Sequence, residues 1–353
     1  MGKQARAQLR LEALIKLAVP QLKQAEGECP RRGRGRRPLI PDWVLAGLIM
    51  TAILKLKKSK SAQYAFLHAH RTELMDWFGT DHFPSRSTYF ERYRRGYQLY
   101  RVAIRLQGER AIREGIADPT CVAGDKSLLC ARGPAWHQRQ RREGVCPPGI
   151  DRQSTWTFSE YHGWLQGYGY ELILTASYRG LSFPLLASVE QAHVREHRTL
   201  PEKLWQLSKR TKYLLLDAGY DSNALAEQVE QTASGHRTGR FYLCPPQKPK
   251  RTSRTAWPMS RKRQFHHRLR EARRARFKQK RFRRIYARRA KTIEPFNDHF
   301  KRLFELHDQV WHRGLDNNRT QLLAAIFVYQ LLVRYNVKRG NRHCRIKTLL
   351  DVL

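Results

Sequence analysis

Residues 212–222 read KYLLLDAGYDS. The run Tyr213-Leu214-Leu215-Leu216 stops at Asp217, and a glycine follows at 219. An apolar run this short, closed by an acid and a turn, predicts a central β-strand buried on both faces. Asp217 then stands at the C-terminal end of that strand, where ligands collect on an open α/β sheet. A lone carboxylate is costly beside such a run unless a cation offsets its desolvation.

Outward from this strand, the pattern alternates between two periods. Downstream, Ser222 to Gln231 reads as a helix and Arg240 to Cys244 as a strand. Upstream, His197 to Lys209 carries Leu200, Leu204 and Leu207 on one helical face. Before it, Gly169 to Ala176 and Phe183 to Val189 read as two strands joined by a turn at Tyr178-Arg179-Gly180-Leu181. Thr120 to Leu129 reads as a further strand, bounded by Pro119 and Gly133-Pro134, and 130–162 as a long polar loop. The order β-β-β-α-β-α-β, followed by helices, predicts an α/β fold in which a mixed sheet is flanked by helices.

The flanks are helical. Asp42 is placed to cap a helix carrying Trp43, Leu45, Leu48, Ile49 and Ile53, and a second helix is expected over Ser61 to Phe78. Residues 84–95, PSRSTYFERYRR, open with Pro-Ser and continue basic and aromatic. They fit a helix-turn-helix-like recognition element, with Arg92, Arg94 and Arg95 toward DNA, or equally an ordinary capped surface helix. The stretch RRGRGRRP at 31–38 is a solvated linker or an arm for an A·T-rich minor groove. Helices are expected again at Glu294 to His307 and Asn318 to Val337. The segments divide as 1–37 (basic helix and linker), 38–117 (helical, DNA-binding), 118–340 (α/β) and 341–353 (tail).

Charge narrows the function. Among 353 residues, 68 Lys and Arg face 30 Asp and Glu, a formal net charge of +38. Such a chain repels itself unless a polyanion neutralises it, and DNA would do so with strong salt dependence. Residues 247–291 are the extreme, with 20 Lys and Arg and one acid, Glu271. Interleaved Phe277, Phe282, Ile285 and Tyr286 predict that the later part is helical, with Arg281 and Arg284 available to phosphates. The apolar runs at 45–54 and 322–329 are too short to span a membrane, which needs about 20 residues. No signal or lipidation motif is present, and the six cysteines form no CxxC pair, so a cytoplasmic, reduced, nucleoid-associated protein is expected. The pairs His266-His267 and His193/His197 lack neighbouring cysteines or carboxylates at ligand spacing.

Three acids carry the chemical reading. Asp125 lies in the strand segment Val122-Ala123-Gly124-Asp125, Asp217 ends the buried strand, and Glu294 precedes Pro295, which suits a first helical turn. Three carboxylates converging on one sheet edge suit two Mg2+ ions, with Mn2+ able to substitute. Such a pair clamps an in-line displacement at a phosphodiester. Each acid also has a structural reading: Asp125 paired with Lys126, Asp217 as a turn former, Glu294 as a helix cap or arginine partner. Lys301 lies two helical turns past Glu294, on the same face, and is a candidate phosphate contact.

The segments VAGDKSLL (122–129), WTFSEYHGWLQGYGYEL (156–172), YLLLDAGYDS (213–222) and TIEPFNDHFKRLF (292–304) resemble the DDE transposases of bacterial cut-and-paste insertion sequences. The resemblance spans roughly 38–336. It implies an RNase H-like catalytic domain, Asp125, Asp217 and Glu294 as catalytic and metal-binding acids, and a homodimer on paired DNA ends with no nucleotide cofactor. The family's Tyr, Arg, Glu, Lys signature matches at Glu294 and Lys301. Tyr286 and Arg289 each fall one residue early, and the expected positions hold Ala287 and Ala290. Rival readings are an RNase H-like nuclease or resolvase, and a non-catalytic basic DNA-binding protein derived from a transposase.

Overall fold

The computed structural model describes residues 3–30, 38–176, 181–231, 236–246, 260–341 and 346–353. Six helices come first: α1 (Lys3–Glu28), α2 (Asp42–Leu54), α3 (Lys60–Ala69), α4 (Arg71–Phe78), α5 (Arg86–Tyr93) and α6 (Gly96–Arg113). Then follow β1 (Cys121–Cys130), α7 (Gln138–Arg142), β2 (Thr155–Ser159), β3 (Gly163–Thr175), β4 (Pro184–Gln191), α8 (Glu196–Thr199), α9 (Pro201–Leu204), β5 (Tyr213–Leu215), α10 (Asn223–Glu230) and β6 (Phe241–Leu243). The chain ends with α11 (Arg261–Lys278), α12 (Lys280–Tyr286), α13 (Arg288–Leu303), α14 (Leu315–Lys338) and α15 (Ile346–Asp351).

The sheet is mixed, as the period changes predicted. β1 is central, antiparallel to β3 and parallel to β5, and β5 is parallel to β6. β2 and β4 share the other edge of β3, β2 against 163–167 and β4 against 168–174. The wholly apolar β5 is buried throughout, as a strand with both faces covered must be.

α14 is the centre of the helical layer. It is buried from Thr320 to Asn336 and packs on α6, α2, β4 and α1. Its buried polar side chains fix its register: Gln330 donates to the carbonyls of Ile104 and Pro184, and Arg334 pairs with Glu114. The hydrophobic core runs without interruption from these helices into the sheet.

Several expectations need correction. Glu294 does not open a helix, because α13 begins at Arg288 and carries Pro295 inside it. The basic stretch before it is already helical and is anchored by buried Phe282 and Ile285. That packing outweighs the preference of proline for a first turn; lacking an N–H, Pro295 leaves the Lys291 carbonyl without its i+4 donor. The helix over 61–78 breaks at His70, which ends α3 and starts α4. The 197–209 helix breaks into α8 and α9, since Pro201 must begin a new turn. Asp42 does not cap α2; Pro41 holds that position, and Asp42 in the first turn accepts from Arg92. The loop at 130–162 contains α7 and β2. The turn placed at 178–181 and the linker at 31–38 fall mainly outside the described residues, as does the first part of the basic segment, 247–259.

Candidate active site

The parallel register of β1 and β5 sets Cys121 opposite Tyr213, Val122 opposite Leu214 and Ala123 opposite Leu215. Carried two residues further, that register brings Asp125 level with Asp217. In strand alternation both acids therefore project to the same face. Asp125 is still held in β1 by its pairing with Leu172 of β3. Asp217 lies just beyond β5 in extended backbone, and its Oδ1 accepts the Gly219 N–H at 2.8 Å, capping the 3-10 turn Ala218–Tyr220. The turn-forming and site-forming readings of Asp217 thus hold together.

α13 lies across β1 and supplies the groups that meet these acids. Arg289 donates to Asp125 Oδ1 at 2.8 Å, and the same nitrogen is 3.9 Å from Asp217 Oδ2. Asn297 donates to Asp125 Oδ2 at 3.2 Å and accepts from the Tyr170 hydroxyl at 3.1 Å. Tyr286 donates to the carbonyl of Leu216, immediately before Asp217, at 3.1 Å. Despite the one-residue offset, Arg289 therefore reaches both acids, and Tyr286 reaches the backbone just before Asp217.

Burial raises the Asp125 carboxyl to about 7; Arg289 opposes the shift and Asp217 adds to it. On Arg289, burial works against the charge, but Asp125 and Asp217 outweigh it and hold the guanidinium above its usual range. Burial likewise lifts the Tyr286 hydroxyl, to about 12. The acid pair is thus partly desolvated and already drawn to one cation.

The remaining predicted residues are more dispersed. Glu294 is exposed, one turn before Asn297 on the same face of α13. Lys301 pairs with Asp308 at 2.6 Å and lies 3.5 Å from the carbonyl of Leu128 on β1, so it continues the line Glu294, Asn297 along the strand. Arg281 donates to the Tyr213 hydroxyl at 3.3 Å, and Arg284 is exposed on α12. In α5, Ser85 caps the helix as the Pro-Ser turn predicted, and Arg94 and Arg95 are exposed. Arg92 is not available to DNA: it is buried and donates to the Ile40 carbonyl and Asp42. Arg94 lines a separate polar cleft of about 380 Å³ with Asp151, Arg152 and Arg313.

Two residues beside the acids were not anticipated. Asn297 could have been found, since it shares the helical face of Glu294 and Lys301. Glu196 could not: its carboxylate approaches the turn at Gly219 only through the packing of α8 on that turn.

Asp125 and Asp217 suit one side of a divalent-cation site. They are oxygen ligands, level with each other, and burial of Asp125 makes its ionised form depend on a nearby positive charge. Arg289 now supplies that charge. Among the described residues no three His, Cys, Asp or Glu side chains gather closely enough to hold a metal as they stand. Completing the set requires Glu294 to turn inward on α13.

Among the described residues no helix is long and apolar enough to cross a membrane. No curated protein and no solved structure matches the chain. The family model of the transposase DDE domain matches residues 112–331, which include β1, β5, α13 and most of α14. With more than half of its length matched, and with two aspartates level on adjacent parallel strands inside the matched span, the chain belongs to the DDE transposases.

Proposed function

We propose that the protein cleaves DNA strands at the ends of an insertion sequence and joins them to target DNA. Asp125, Asp217 and Glu294 would hold two Mg2+ ions, with Mn2+ able to replace them. The observation that carries this reading is that Asp125 on β1 and Asp217 just beyond the parallel neighbour β5 are both within reach of Arg289.

When bound, the ions would lower the pKa of the attacking water or 3′-hydroxyl and stabilise the leaving oxygen. The chain supplies the rest. Asn297 orients Asp125 through its bond to Oδ2, itself steadied by Tyr170. Arg289, released from the acids, and Lys301 offer positive charge to the phosphates beside the reacting one. Exposed Arg281 and Arg284 extend that charge along α12, and Arg94 and Arg95 do so between α5 and α6. We assign residues 118–340 to an RNase H-like catalytic unit and 38–117 to recognition of the ends, with 1–37 and 341–353 flanking them. All these parts share one core. On paired ends the protein acts as a homodimer in the nucleoid, without a nucleotide cofactor.

The test is cleavage of labelled plasmid by purified protein with Mg2+ or Mn2+, beside Asp217→Ala at the same salt. Metal-dependent nicking or joining that disappears in the variant, while DNA binding persists, supports the reading. Tight binding with no cleavage under either metal refutes it and leaves a basic DNA-binding protein. Nicking without joining on the element's own ends identifies a plain nuclease.

A further inference from the structure

The tip of the β2–β3 hairpin carries an exposed aromatic cluster that the site above does not use. Phe158 is 58%, Trp164 70% and Tyr161 89% exposed. Large rings left this open are costly in water unless something covers them. Phe158 and Trp164 are cross-strand partners, so they share one face, with ring centroids 5.7 Å apart and edge-to-face. Tyr161 occupies the turn between the strands and meets His162 edge-on at 4.7 Å. The tip projects past the end of β1, whose pairing with β3 stops at Gly167.

Cations stand beside Trp136 and Trp156, the latter being two residues before Phe158 on β2. The short basic helix α7 presents exposed Arg139 and Arg142, and Arg141 lies 4.7 Å over the Trp136 ring. Trp156, on β2, packs against His137 just before that helix. Rings interleaved with arginines are what unpaired nucleotides require: stacking on every base and charge for every phosphate. A second copy of this chain fits less well, since two surfaces of a +38 protein repel.

Position agrees with this. Trp164 precedes Leu172, the cross-strand partner of Asp125, by an even number of residues, so both stand on the face from which Asp125 projects. The separation along the strand is about 26 Å. Between the two, Gln166, Tyr168 and Tyr170 of this face are buried, so a DNA strand reaching from the acids to the tip would pass over the elements that cover them.

We propose that Phe158, Tyr161 and Trp164 form a stacking platform for unpaired bases of the DNA strand held at the acids. The inference rests on the DNA-handling role proposed above and can fail separately from it. The experiment compares binding of a single strand about 20 nucleotides long, and of its duplex, without metal. The proteins are the wild type, the triple variant Phe158→Ala/Tyr161→Ala/Trp164→Ala, and a charge variant, Arg139→Gln/Arg141→Gln/Arg142→Gln. The triple variant is expected to lose about tenfold or more in single-strand affinity and less than about twofold in duplex affinity. The charge variant should weaken both in parallel. Unchanged single-strand affinity in the triple variant overturns the proposal. So does a shift from dimer to monomer in sedimentation with that affinity intact, which would make the tip a self-contact. Selective loss of single-strand binding, in a protein whose wild type cleaves under neither metal, upholds the platform and removes the proposed function.

Discussion

Asp125 and Asp217 share one cation: a single guanidinium nitrogen of Arg289 stands 2.8 Å from the first and 3.9 Å from the second. Arg289 therefore occupies the place the proposed divalent ion would take, and the two are expected to compete. Removing it in Arg289→Ala leaves two close carboxylates without a counter-charge. The metal-free variant should be less stable than the wild type by about 1–3 kcal/mol, the lower end applying because Asp217 is well exposed. Mg2+ should stabilise the variant more than the wild type. Urea unfolding with and without MgCl2 measures both. Equal increments in the two proteins would show that the arginine and the ion do not compete.

His312 gives the fold a pH limit. Its Nε2 is 3.0 Å from the Tyr93 hydroxyl, and burial, with Lys60 and Arg132 adding, lowers its pKa to about 3. The unfolded chain takes up this proton near 6.5, whereas the folded protein refuses it until about 3. His312 thus has no effect above about 6.5. It destabilises progressively between 6.5 and 3, at about 1.4 kcal/mol per pH unit. In His312→Gln, the slope of stability against pH in that window should be shallower. An identical slope in chemical unfolding between pH 6 and 4.5 would refute the assignment.

The arginines at the C-terminal end of α5 and just beyond it divide by burial. Arg92→Ala removes a buried partner from Asp42 and the Ile40 carbonyl, and should cost about 2–3 kcal/mol. The salt dependence of DNA binding should not change. Arg94→Ala and Arg95→Ala should do the reverse, each lowering the slope of log affinity against log salt by about 1 at unchanged stability. Thermal unfolding beside a salt titration of binding separates the two. A reduced salt slope in Arg92→Ala would mean that this side chain leaves its pocket on DNA.

Asn297 acts through Asp125. In Asn297→Leu, Asp125 Oδ2 and the buried Tyr170 hydroxyl both lose their partner. Metal-dependent cleavage should fall about tenfold, with duplex binding unaltered. Asn297→Gln, which can still donate, should recover part of the rate. Cleavage at the wild-type rate in the leucine variant would remove Asn297 from the site.

What the sequence disclosed, and what it hid, follows the range of the interactions. The buried strand ending in Asp217 was visible because the apolar run and the turn lie within ten residues. The level placement of Asp125 was not, since the parallel pairing of β1 with β5 joins segments separated by three strands and three helices. α13 was misread at its start because Pro295 is a strong local signal, overruled by Phe282 and Ile285 anchoring the helices before it. β2 was missed because TWTFS lies in a polar stretch and pairs along one edge only. Arg92 was assigned outward on composition, while its partners lie some fifty residues earlier in the chain. Glu196 had no local signal at all.

α14 places the middle of the core near the end of the chain. α6, α2, α1 and β4 all bury surface against it, so none of them is complete until residues 315–338 have been made. A chain stopped between α13 and α14 would keep its basic helices and lack its centre. Such a product would leave the faces of α6, α2, α1 and β4 that pack on α14 uncovered, which favours proteolysis over folding. For a transposase acting as proposed, damaged copies would then fall silent instead of poisoning the intact ones.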